Sequence, residues 1–97
     1  MRRRRFDHLF TEISLASGQR ISRYQLWLHL HYLGCDPEML SREAAIAFCD
    51  EPLTEFLADR GIRLGQRRLR RLRRTVERFD PLVPTPEDTF ARDYDLG

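Results

Sequence analysis

Lysine is absent from this sequence, and all 17 basic residues are arginine. An arginine-codon bias in a GC-rich source accounts for such a preference without any function behind it. The physical consequence is the same either way. Every positive charge is a planar guanidinium fork that fits phosphate and carboxylate and stays charged when partly desolvated. No apolar run approaches 18 residues, which excludes a membrane span. Cysteine occurs twice, at Cys35 and Cys49. Two thiols with no export signal read as reduced and partly buried rather than as a disulfide scaffold. With five glycines and five prolines the chain is not collagenous, and at 41% apolar residues it is not wholly disordered. The basic start Arg2–Arg5 is followed by Phe6-Asp7-His8 where a signal peptide needs an apolar stretch, so a cytoplasmic location is expected.

What is present is one modest core in 97 residues, the length of a single small domain. A chain this short buries a small share of its surface and is marginally stable by itself. The net charge of +2 hides a sharp segregation along the chain. Residues 1–35 carry a net +4, residues 36–61 a net −5, residues 62–79 a net +7 and residues 80–97 a net −4. These blocks are the most informative feature of the sequence.

The spacing predicts an all-α fold, a compact bundle of four or five short helices over residues 6–79. It is flanked by a basic arm at 1–5 and an extended acidic, proline-containing tail at 80–97. Phe6, Leu9, Phe10 and Ile13 repeat at the interval of one helical face, and Gly18 closes that helix. From Ser22 to Gly34 the pattern fits two periods. Leu26, Leu28 and Leu30 alternate as in a strand. Tyr24, Trp27, Leu28 and His31 also share one helical face, and Leu26, Leu30 and Leu33 another. Length and the lack of β-branched residues favour a helix, apolar on nearly all sides and therefore central to the core. Asp36-Pro37-Glu38 and Ser41 are two successive helix starts, and Asp50 is expected to cap a helix from about Glu51 to Arg60 that stops at Gly61. The last helix is expected over 66–79, ended by Asp80-Pro81. Trp27, Leu30, Phe48, Phe56, Leu69 and Leu72 are the expected core. In the tail, Phe90, Tyr94 and Leu96 are candidate docking points.

The arginine-rich helix carries the strongest functional signal. Arg67, Arg70, Arg71, Arg74 and Arg78 fall in one stripe opposite Leu69, Leu72 and Val76, with Arg68 and Arg73 on the flanks. Seven like charges on one short helix repel one another unless an anion or acidic partner meets them. The plainer alternative is a solvated face neutralised by the acidic 36–61 segment of the same chain. A membrane-surface helix is disfavoured by the narrow apolar face and the absence of tryptophan in it.

Ser41–Leu64 loosely resembles a helix-turn-helix, but its second helix carries Glu51, Glu55 and Asp59 against Arg60, a charge that phosphate repels. His29, His31, Cys35 and Cys49 lack the spacing of a zinc site, because His29 and His31 point apart on a helix and Cys49 has no cysteine partner at C-x-x-C spacing. No nucleophile elbow, glycine-rich phosphate loop or metal motif is present, so neither catalysis nor a cofactor is expected. The resulting expectation is a small non-enzymatic regulatory or binding protein. Arg67, Arg70, Arg71, Arg74 and Arg78, with Arg2, Arg3, Arg4 and Arg5, would dock on nucleic acid or a nucleic-acid-containing complex. The alternative is an adaptor, inhibitor or assembly factor that binds an acidic protein surface and self-associates as a homodimer through its charge blocks.

Overall fold

The structure, a computed structural model, describes residues 4–80. It contains α1 (Arg4–Ser17), α2 (Arg23–Tyr32), a short 3-10 turn at Pro37–Met39, α3 (Arg42–Phe48), α4 (Glu51–Ala58) and α5 (Gln66–Arg78), with no strand among the described residues. The all-α expectation holds, and the alternating leucines of α2 are helical. The expected tail, apart from Asp80, lies outside the described residues, as do Arg2 and Arg3.

Local chemistry places most of the boundaries. Gly18 sits at φ 68°, the left-handed conformation that ends α1 without a Cβ penalty. Ser22 accepts from the Gln25 amide at 3.2 Å and starts α2. The two start signals in the middle of the chain divide the work. Asp36 accepts from Glu38 N at 3.0 Å and caps the 3-10 turn, while Ser41 accepts from Ala44 N at 3.1 Å and caps α3. Asp50 occupies the N-cap position of α4, but its side chain makes no capping bond.

The core forms where α1 packs on α5, and α3 on both α5 and α4. Phe6, Leu9 and Ile13 of α1 and Leu72 and Val76 of α5 share one buried cluster with Phe48, Leu53 and Phe56. Helix α2 contributes Leu26 and Leu30 and little else that is buried. It is therefore a flank of the core rather than its centre. Of its two apolar faces only the leucine face turns inward; Tyr24 is 68% and Tyr32 81% exposed. Tyrosine and histidine tolerate this because their polar tips stay hydrated. Two expected core residues differ for related reasons. Trp27 is half-buried, stacked on His31 at 5.3 Å between ring centroids. Leu69 is half-buried because the space between the start of α4 and the start of α5 remains an open groove.

Helices α1 and α5 run antiparallel. Phe79, at the end of α5, stacks on His8 near the start of α1, while Arg68, near the start of α5, donates to the carbonyl of Ala16 near the end of α1. This arrangement corrects the expected arm. Arg4 and Arg5 belong to α1, and their guanidiniums lie 5.8 and 5.7 Å from the centre of the Phe79 ring. Arginine at a helix N-terminus opposes that helix's own dipole, and the neighbouring C-terminus of α5 offsets it.

Candidate polyanion interface

Helix α5 positions the stripe because its other face is committed. Leu72 and Val76 are buried and Leu69 partly so, which fixes the helix rotation and turns Arg67, Arg70, Arg71, Arg74 and Arg78 outward. All five are exposed. From Arg67 to Arg78 the stripe runs about 16 Å at 1.5 Å per residue. No ion-pair partner for any of the five exists among the described residues.

The two flanking arginines behave differently. Arg73 donates from Nη1 to Asp50 Oδ1 at 3.0 Å, and its Nε lies 3.4 Å from Glu77 Oε1. Arg68 is held by the Ala16 carbonyl at 3.3 Å. Neutralisation by the acidic 36–61 segment therefore reaches this helix at Arg73 and leaves the stripe itself unpaired among the described residues. The start of α5 adds to the positive field. Gly65 provides no side-chain cap, and the first turn contains no acidic residue.

Of the remaining arginines proposed for the site, Arg4 and Arg5 are brought beside Phe79, the residue after Arg78. They are half-buried there rather than forming a separate exposed arm. Several other arginines are structural. Arg60 lies 3.6 Å over the Phe56 ring and donates to Gln25 Oε1 at 2.8 Å, tying α4 to α2. Arg42 Nε donates to the Glu77 carbonyl at 3.0 Å near the end of α5. Arg23 pairs with Asp7 and covers the rings of Phe6 and Phe10.

The helix-turn-helix alternative fails on its exposed surface. Helices α3 and α4 are joined tightly through Cys49 and Asp50, but α4 presents Glu51, Glu55 and Asp59 to solvent. The histidines serve packing. His29 lies edge-on to Phe48 and Phe56, with ring centroids 5.9 and 5.2 Å away. Among the described residues no group of three His, Cys, Asp or Glu side chains is arranged to hold a metal ion. Burial, with the Asp50 and Glu77 charges adding to it, pushes the Cys49 thiol up to about 12, so it stays protonated and unreactive near neutral pH. No helix among the described residues is long and apolar enough to cross a membrane.

No family model, curated protein or solved structure matches this chain.

A second surface was not anticipated. The outward face of α2 carries Tyr24, Tyr32 and the stacked Trp27–His31 pair with no formally charged residue among them, and Leu33 and Met39 are also exposed nearby in sequence. Its signal in the sequence was the helical face shared by Tyr24, Trp27, Leu28 and His31, read there as part of the core.

Proposed function

We propose that this is a non-enzymatic binding protein whose α5 docks on a polyanion, with nucleic acid or a nucleic-acid-containing complex as the target. One observation carries the reading. Five arginines on a rigid 13-residue helix face outward in a single stripe, with no ion-pair partner among the described residues, while the arginines beside them are engaged. Like charges at i,i+4 along a helix are unfavourable in isolation. An array of phosphates removes that cost by replacing repulsion with charge-assisted hydrogen bonds. A helix of this kind contacts the backbone and carries little base-reading chemistry, so binding tolerant of sequence is expected.

The test is the triple substitution Arg67→Gln, Arg71→Gln, Arg74→Gln in the full chain, assayed against duplex and single-stranded oligonucleotides. Loss of binding with the helical circular dichroism signal unchanged supports the reading. Binding that survives the substitution refutes it.

A second reading, an adaptor or assembly factor for a protein partner, is favoured by the α2 face. Exposed tyrosines beside a tryptophan are the residue types that dominate protein–protein hot spots. Replacing Tyr24 and Tyr32 with serine weakens such a partner and leaves oligonucleotide binding alone.

A further inference from the structure

Helix α2 is held on three sides and open on the fourth. Leu26 and Leu30 are buried in the core. On one flank Arg23 pairs with Asp7 and covers the Phe6 and Phe10 rings of α1. On the other, Gln25 accepts from Arg60 of α4, and His29 meets Phe48 and Phe56 edge-on. At about 100° per residue, the side left open is that of Tyr24, Leu28, His31 and Tyr32. The tyrosines and His31 are exposed, and Leu28 is half-buried between them.

This face is symmetric about its middle. Tyr24 precedes Leu28 by one helical turn and Tyr32 follows it by one. A two-fold axis at Leu28 would set that residue against its own copy and Tyr24 against the partner's Tyr32.

The charges around the face favour that antiparallel arrangement. Before its N-terminal end stand Arg20, which is exposed, and Arg23, which Asp7 already pairs. Beyond its C-terminal end stand Asp36, exposed, and Glu38, half-buried. On the α4 flank Arg60 is engaged by Gln25 and adjoins Asp59 in sequence. An antiparallel pair brings the Arg20 end of each copy to the Asp36 end of the other. A parallel pair would bring like charges together. The net charge of +2 adds little overall repulsion between copies.

The area is that of a weak dimer. An aromatic side chain can bury about 150 to 250 Å². At 68% and 81% exposure, Tyr24 and Tyr32 together offer on the order of 250 Å². With His31, Leu28, the open edge of Trp27 and Met39 on the turn packed against α2, a pair would bury about 1,000 Å², the lower limit for a specific interface.

We infer that the open face of α2 docks a second copy of this chain, as an antiparallel two-fold pair centred on Leu28. The inference rests on the reading of α2 as a protein-binding face and is independent of the polyanion reading of α5. Tyrosine supplies contact area at low entropic cost, and no charge has to be desolvated at the centre.

Sedimentation velocity of the full chain across about 5 to 500 µM tests this, with a dimer dissociation constant of about 10 to 100 µM expected. Tyr24→Ser with Tyr32→Ser is expected to weaken the dimer at least tenfold, the helical circular dichroism signal being retained. Arg20→Glu is expected to weaken it at least threefold at low salt. In the parent chain, dilution is expected to move the amide resonances of Tyr24, Leu28 and Tyr32, a readout that needs no variant. A chain that stays monomeric throughout overturns self-pairing and leaves α2 as a face for a different protein. A dimer that survives the tyrosine changes, with those resonances unmoved on dilution, overturns α2 as its seat. A dimer sensitive to the tyrosines but not to Arg20→Glu overturns the antiparallel arrangement.

Discussion

Arg73 and Asp50 are joined by a 3.0 Å hydrogen bond that ties the middle of α5 to the first residue before α4. The bond diverts Asp50 from capping its own helix, which has no side-chain cap. Both side chains are about half exposed, at 48% and 51%, so solvent screens the pair. Arg73→Gln is expected to cost no more than about 1 kcal/mol, measured by urea denaturation. Asp50→Asn loses the charge but keeps an acceptor oxygen for Arg73, and asparagine caps well, so a smaller loss is expected there.

The outward arginines behave in the opposite sense. Replacing Arg67, Arg71 and Arg74 with glutamine relieves like-charge neighbours at i,i+4 while leaving Leu72 and Val76 in place. Stability at low salt is expected to rise by a few tenths of a kcal/mol per relieved pair, and the gain should vanish in high salt. A loss comparable to that of a core substitution would instead mean that the stripe packs against something.

Salt dependence distinguishes phosphate binding from other polyanion contacts. Each single Arg→Gln change in the stripe is expected to shallow the slope of log K against log salt by about 0.7 to 0.9. The same change at Arg60, which is stacked on Phe56, is expected to leave the slope unchanged. Titrations between 50 and 200 mM salt on one duplex measure both.

Cys49 gives the pH prediction. Its thiol is raised from 9.0 to about 12 in the folded state, so the folded chain holds a proton that the unfolded chain has released in that interval. Its contribution to stability is complete below pH 9 and is lost as the pH climbs towards 12. Alkaline denaturation is expected to be steeper for the parent chain than for Cys49→Ala. At pH 8 a thiol reagent is expected to modify Cys35, which is only partly covered, well before Cys49.

In the core, Phe56→Ala is expected to cost about 3 to 5 kcal/mol. That is enough to unfold most of the population of a marginally stable small domain. The ring is fully buried, capped by Arg60 and met edge-on by His29. Trp27→Ala is expected to cost distinctly less, because Trp27 is half-exposed and stacked mainly on His31. Thermal melts of the two variants rank them.

The helices were legible where one apolar stripe stood against a polar one. Phe6, Leu9 and Ile13 in α1 and Leu72 and Val76 in α5 could face only inward. Helix α2 was not legible to the same degree. Periodicity identifies two apolar faces but not which one the neighbours cover, so Trp27 was placed in the core and is half outside it. The arm at Arg4 and Arg5 was misread because nothing local distinguishes a solvated arginine from one folded against a ring. Phe79, the ring concerned, is more than 70 residues away in the chain. The stripe was legible because helical geometry alone gathers residues 67, 70, 71, 74 and 78. Which acid meets Arg73 was not, since that depends on how α4 lies beside α5.

The antiparallel pairing of α1 with α5 also sets an order of events during synthesis. Leu9 and Ile13 are made well before Leu72 and Val76, which share the core cluster with them. A nascent chain that stops short of α5 can form α3 against α4 but must leave one side of α1 bare. The α1–α5 face can close only after α5 has left the ribosome, and until then α1 is a ligand for any chaperone that recognises an uncovered apolar stripe.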